Sequence, residues 1–148
     1  MPKAAKKKRI QIDGKWYSLK NNGKPGVELT HNDGWLSESA FFGTIRSALR
    51  LASKFWKPKI RYLEERSRPY TGKCKKTKKE YQCEQCRKWF VRAKIEVNHV
   101  NPCGSLKCFE DLPEFCRKLF IEIDGGWEVL CLTCHQKETN KQRGDRNG

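Results

Sequence analysis

The sequence predicts an α+β fold in which short strands and helices are stapled by a cluster of cysteines. Three observations predict it. Two C-x2-C pairs, Cys83/Cys86 in YQCEQCRKWF and Cys131/Cys134 in EVLCLTCHQKET, have the spacing of metal-binding knuckles. Stretches of period two, which suit strands, alternate with stretches of period 3.6, which suit helices. The chain also has few large aliphatic residues with which to build a core, so a staple would have to contribute folding free energy.

At 148 residues, the chain is long enough for one ordinary domain, or for a smaller one with an N-terminal extension, and too short for a multi-lobed enzyme. It carries 32 Lys and Arg against 17 Asp and Glu, a formal charge of +15. Such an excess attracts polyanions over long range, which makes nucleic acid the expected partner and an acidic membrane surface the weaker alternative. No run approaches the roughly 18 apolar residues of a membrane span, and the basic N-terminus leads into polar sequence rather than an apolar signal region. The expectation is a soluble protein of a reducing cytoplasm, where C-x2-C thiols serve as metal ligands rather than disulfides.

In chain order, residues 1–9 (MPKAAKKKR) read as a disordered basic tail with at most non-specific phosphate contacts. RIQIDGKWYSL alternates around Asp13-Gly14, whose tolerance of positive φ predicts a hairpin over residues 10–19. NNGKPGVELTHNDGW is dense in turn formers and predicts a loop, with His31 an ordinary loop residue. From the N-cap candidate Ser37, a stripe of Phe42, Ile45, Leu49, Ala52 and Trp56 predicts a helix ending near Lys57, because Pro58 disfavours helical geometry in its predecessor. Arg46, Arg50, Lys54 and Lys57 form a basic stripe suited to a phosphate backbone, or simply a solvated face. A shorter helix is expected within IRYLEERS. The lysine-dense residues 71–80 read as a linker between a helical module (10–70) and a cysteine-rich core (81–143), with a flexible tail at 144–148.

Zinc prefers four soft ligands in a tetrahedron, and a two-residue spacer lets both thiolates of a knuckle reach one ion. Cys83, Cys86, Cys131 and Cys134 are therefore the expected structural zinc site. Between the knuckles, KWFVRAKIEVNHV reads as a strand pair ending at Asn98-His99, and HQKETNKQR reads as a helix. CFEDLPEFCRKLF, with Phe109, Leu112, Phe115 and Leu119, suits an inserted amphipathic helix. Cys74, Cys103, Cys108 and Cys116 have no knuckle spacing and read as reduced structural or surface thiols.

This order of C-x2-C, strands ending in Asn98-His99, and C-x2-C-H opening a helix resembles the HNH endonucleases, which have a ββα-metal core often stapled by such a zinc. NHVNPCGSL and VLCLTCHQKET, preceded by IRSALRLASKFWKPK, look most like the small free-standing HNH proteins of bacteriophages. The core resemblance covers residues 81–141, and the phage-type resemblance reaches upstream to residue 41. It implies His99 as the general base on the attacking water, and Asn98 and His135 as ligands of a catalytic Mg2+ or Mn2+. Asn98 departs from the family's usual Asp and supplies no charge. The family's middle Asn has no counterpart, since Gly126 occupies that region with Asp124 and Gly125 beside it.

The resulting expectation is a metal-dependent DNA endonuclease in a host-cell cytoplasm if phage-encoded. It would hold double-stranded DNA through Arg46, Arg50, Lys54 and Lys57, together with Arg87 and Lys88 of the first knuckle. The competing class is a non-catalytic zinc-finger-like nucleic-acid-binding module derived from such a nuclease. RNA is a third possibility, with Trp16, Tyr17, Trp35 and Trp89 available for stacking, although core packing explains these more economically.

Overall fold

The computed structural model describes residues 8–122 and 125–146, and over these it is α+β, with small sheets and four α-helices. No helix among them is long and apolar enough to cross a membrane. The chain separates into two units, one drawn from the chain up to Leu49 with Ser105–Leu112, the other from Arg50–Gly104 with the chain from Pro113 onward. None of the three points at which the chain passes between them falls in the expected linker at 71–80.

The first unit opens with strands β1 (Arg9–Ile12), β2 (Lys15–Leu19) and β3 (Pro25–Glu28), antiparallel in that order. Asp13 and Gly14 make the expected turn with φ of 48° and 78°. β3 falls in the stretch expected to be loop. The turn formers there close a second hairpin, with Lys20 N–H donating to the Lys24 carbonyl at 3.0 Å. A register shift between Tyr17 and Leu19 then lets Pro25 enter at an edge.

Arg9 was expected in the disordered tail but begins β1. Its guanidinium lies 4.0 Å from the Trp16 ring and 3.6 Å from the Trp35 ring, and donates to the Asp33 and Gly34 carbonyls. This cation–π stack accounts for two of the aromatics considered for base stacking. Lys8, also in the expected tail, is exposed and its carbonyl accepts from Leu19 N–H at 3.0 Å, and residues 1–7 lie outside the described residues. His31 is more than a loop residue, since its ring stacks on Phe41 at 4.2 Å within a cluster that includes Phe42 and Phe109. Helix α1 (Glu38–Ser53) is capped as expected, with Ser37 Oγ accepting from Ala40 N–H at 3.2 Å.

Leading into the second unit, both helices expected over residues 37–67 occur with shifted bounds, the first ending short of Lys57 and the one expected within IRYLEERS beginning earlier. α1 stops at Ser53, and α2 (Lys57–Glu64) begins with Pro58 in its first turn. Proline lacks only an N–H that the first turn leaves unpaired anyway, so it starts a helix as readily as it ends one. Strands β4 (Ser67–Pro69), β5 (Lys79–Gln82) and β6 (Trp89–Val91) form an antiparallel sheet. The lysine-rich stretch therefore turns the chain between β4 and β5 and enters β5 itself. β7 (Ile95–His99) pairs with β8 (Trp127–Cys131), from Ile95 opposite Cys131 to His99 opposite Trp127. KWFVRAKIEVNHV does hold two strands, β6 and β7, but they do not pair. A 3-10 turn at Arg92–Lys94 sends them into different sheets.

The insertion between β7 and β8 contains helix α3 (Leu112–Leu119), whose Phe115 and Leu119 are buried as the periodicity requires. Helix α4 (Leu132–Arg146) packs against β7 and β8 and runs through Gly144, where a flexible tail was expected. Asp124 and residues 147–148 lie outside the described residues. Tyr62, Leu63, Tyr81, Ile95, Trp127, Val129 and Leu130 form the core of this unit together with the buried cysteines.

Candidate functional site

The first knuckle is the turn between β5 and β6. Cys83 N–H donates to the Lys88 carbonyl and Arg87 N–H to the Cys83 carbonyl, both at 2.9 Å. Arg87 adopts a left-handed φ of 60° to close the turn. The second knuckle begins at the end of β8 with Cys131 and continues into the first turn of α4 with Cys134. Pairing of β7 with β8 and of β5 with β6 brings all four Sγ atoms within 4.8 Å of one another.

Cys86 and Cys131 Sγ are 4.0 Å apart, close to the roughly 3.8 Å edge of a tetrahedron with zinc–sulfur bonds of about 2.3 Å. A disulfide would need about 2.05 Å. Burial opposes ionisation of Cys83, but backbone N–H groups of Cys86, Cys131 and Gln85 outweigh it and lower the thiol below its ordinary value. Cys134 is pushed up by burial and by the neighbouring Cys131 and Cys83 thiols. Four thiolates cannot share this space without a cation, so the donor set, spacing and chemistry fit a structural metal such as zinc. Among the described residues no second group of this kind occurs, and Cys74, Cys103, Cys108 and Cys116 stand apart from it.

A residue absent from the sequence expectations secures the first knuckle. Glu84 N–H donates to the Val129 carbonyl at 2.8 Å, and its carboxylate accepts from Val129 N–H and from Arg66 Nε at 3.0 Å. The Tyr62 hydroxyl donates to the Trp127 carbonyl at 2.7 Å and lies 3.1 Å from the same carboxylate. No spacing rule marks an acidic residue inside a knuckle, so only the packed structure reveals this tie between α2, the knuckle and β8.

A cavity of about 560 Å³ is lined in part by β7 and α4. β7 supplies Glu96, Asn98 and His99 to its wall, and α4 supplies His135 and Thr139. The end of α1 supplies Arg50, the turn after it Lys54 and the start of α2 Lys59, and the 3-10 turn supplies Arg92. Three residues singled out by resemblance, Asn98, His99 and His135, thus meet in one cavity. The Arg50 and Lys54 of the basic stripe join them. Lys57, Arg87 and Lys88 are exposed and outside this lining, and Arg46 belongs to the other unit. Lys59, Arg92, Glu96 and Cys103 line the cavity without any sequence signal, since their positions depend on how α2, the 3-10 turn and the loop after β7 pack.

His99 ends β7 and is half-buried. Its Nε2 lies 3.1 Å from the Leu119 carbonyl at the end of α3. A carbonyl can only accept, so Nε2 carries the proton and Nδ1 keeps the lone pair. Burial lowers the imidazole pKa below its ordinary 6.5; the Leu119 carbonyl opposes this, while the charges of Lys59 and Arg50 reinforce it. His99 is therefore neutral near pH 7. The inserted helix, through a terminal carbonyl with no helical partner, orients the ring. At Gly126 an added Cβ would come within 2.6 Å of the Ile121 side chain, which would have to shift.

Asn98 faces Glu128 across the strand pair, and its amide nitrogen donates to the Glu128 carboxylate at 3.0 Å. The carboxylate accepts only, which fixes the orientation of the amide and leaves Oδ1, its one metal-ligating atom, to other partners. Lys59 is lowered below its ordinary value chiefly by burial, with Glu96 opposing and Arg92 and Lys54 adding to it. No family model matches the chain, and no curated protein or solved structure was found to match it.

Proposed function

We propose that this chain is a metal-dependent endonuclease of the HNH type that hydrolyses DNA phosphodiester bonds. In this reading β7, β8 and α4 are the ββα-metal core, His99 is the general base, and the four thiols hold structural zinc. The observation that supports it most is the single cavity in which a neutral His99, oriented through Nε2, meets Asn98 Oδ1 and His135. A water hydrogen-bonded to Nδ1 would give up its proton there as it attacks phosphorus. Asn98 and His135 offer one oxygen and one nitrogen ligand, a set compatible with Mg2+ or Mn2+ that leaves most positions to phosphate and water. When bound, such an ion would stabilise the charge on the departing oxygen.

A non-catalytic nucleic-acid-binding module is the second reading. It is favoured by Asn98, whose neutral amide is already bonded to Glu128 and brings no charge to a cation. The deciding experiment incubates supercoiled plasmid with zinc-loaded wild type and His99→Ala, with and without Mg2+ or Mn2+. The endonuclease reading expects metal-dependent nicking that falls about 10²- to 10⁴-fold in His99→Ala, with DNA binding retained. Equal nicking by both proteins removes His99 from the mechanism, and no cleavage with any metal favours the binding module.

A further inference from the structure

The turn from α1 to α2 presents an aromatic side chain to solvent. Phe55 is 73% exposed, more than any other large apolar residue among the described ones. Two further aromatics are exposed, and each has a partner: Trp35 carries the Arg9 guanidinium at 3.6 Å, and Phe109 meets the Phe42 ring at 5.1 Å. Among the described residues no ring or guanidinium lies against Phe55.

The backbone holds Phe55 in this position. The N–H groups of Lys54, Phe55 and Trp56 donate to the Leu51, Ala52 and Ser53 carbonyls at 3.2, 3.0 and 3.3 Å, so the end of α1 tightens into a 3-10-like turn. The next residue, Trp56, takes the inward place: its Nε1 donates to the Ile121 carbonyl at 2.7 Å, its ring meets Phe120 at 5.5 Å, and it packs on the core. The preceding residue, Lys54, lines the cavity that holds His99. Phe55 therefore stands one Cα step, about 3.8 Å, from a residue of the cavity wall. A phenyl group held in water there is unfavourable until something covers it.

Its surroundings decide what that is. Between Glu38 and Glu64 the sequence has no acidic residue, while Arg50, Lys54 and Lys57, all exposed, flank Phe55. The core of a protein–protein interface is depleted in lysine. Sites that unstack nucleic-acid bases instead combine cations for the phosphates with an apolar side chain for the base faces.

We propose that Phe55 is a wedge that enters between two base pairs of double-stranded DNA and stacks on one of them, while Lys54 and Lys57 hold the phosphates to either side. The protein thereby favours a duplex at steps that unstack easily, a preference that phosphate contacts alone do not carry. This inference rests on the DNA substrate of the proposed endonuclease and adds to it a contact with base faces.

The test measures binding alone, so that it stands whether or not the protein cuts. Zinc-loaded protein without Mg2+ or Mn2+ is titrated with two short duplexes, one fully paired and one with a central mismatch beside a 2-aminopurine, whose fluorescence rises on unstacking. A mismatch lowers the cost of opening a step, so wild type is expected to bind the mismatched duplex more tightly and to raise its fluorescence. Phe55→Ala is expected to bind that duplex roughly 5- to 150-fold more weakly, the loss of one base–aromatic stack, and to leave the fluorescence flat. Its slope of log Kd against log salt should match wild type, since a phenyl group neutralises no phosphate. Phe55→Trp should keep the wild-type behaviour, and zinc content and melting temperature establish that each variant is folded.

The proposal is overturned if Phe55→Ala binds the mismatched duplex as wild type does, or if wild type produces no rise in fluorescence. A salt slope that falls in Phe55→Ala assigns the loss to phosphate contacts and overturns it as well. So does a wild-type dimer in sedimentation that Phe55→Ala abolishes, because the residue then covers itself against a second copy. Absence of plasmid nicking, with affinities and fluorescence as expected, would sink the endonuclease reading and leave the wedge in place.

Discussion

At the scale of single residues, Asn98 decides most. Under the proposed endonuclease reading an Asp is the residue expected there, and restoring it looks at first like a simple gain of a ligand charge. The structure changes that expectation, because residue 98 faces Glu128 at 3.0 Å. Asn98→Asp places two carboxylates opposite one another, a repulsion of roughly 1 kcal/mol or more at that range. The variant should melt a few degrees below wild type without divalent ions and recover when Mg2+ or Mn2+ is added. It should also reach half-maximal cleavage at a lower metal concentration. Melting that ignores the divalent ion would place residue 98 away from it. The knuckle cysteines were legible because spacing alone identifies them, whereas His99 and His135 were singled out only through what the family resemblance implies. Glu128, Glu84 and Lys59 were not legible, because each gains its role from a partner at least thirty residues away or from a wall made by several elements.

At the scale of elements, the joint between α2 and β8 is made by Tyr62. Burial first, and then the charge of Glu84, push its hydroxyl up from about 10 to about 12, with Arg66 opposing. The folded protein thus holds this proton more tightly than the unfolded chain does. The resulting stability is fully present below about pH 10 and is lost as pH rises toward 12. Denaturant unfolding of wild type at stepped pH should show a decline in that window that Tyr62→Phe lacks. At neutral pH the same substitution should cost about 1 kcal/mol for the hydrogen bond to the Trp127 carbonyl. Parallel pH dependences for the two proteins would remove Tyr62 from the joint. Element boundaries were harder to read than element types. Pro58 shows why, since the same ring that discourages a helix before it is well placed at the start of the next.

At the scale of the molecule, the four-thiol site stands against the whole stability of its unit. Structural zinc contributes on the order of 10–16 kcal/mol of apparent binding free energy in small zinc folds. That matches or exceeds the roughly 5–15 kcal/mol by which a typical domain is stable. Chelation should therefore unfold the unit of Arg50–Gly104 and the chain from Pro113 onward. Cys83→Ala, which also opens a cavity at a buried position, should abolish both zinc content and cooperative melting. The first unit contributes no thiol to this site, so amides of β1, β2 and α1 give an internal comparison in hydrogen exchange before and after metal removal. Unchanged exchange across β5, β7 and β8 in the metal-free protein would show that the thiols are not what holds these strands together.

The sequence alone determined the local and the spacing-coded parts of this protein. These are the Asp13-Gly14 hairpin, the Ser37 cap, the amphipathic insertion and the four cysteines, each specified by residues close together or by a repeated interval. Only the tertiary structure decided that β6 and β7 part company, that β7 meets β8 across a long insertion, and that the Leu119 carbonyl orients His99. It also decided which cations turn inward. Strand pairing and cavity lining depend on free energy shared among distant segments, and no local pattern records that sum. The physical reason lies at residues 92–94, where one short turn sends two similar strands into different sheets.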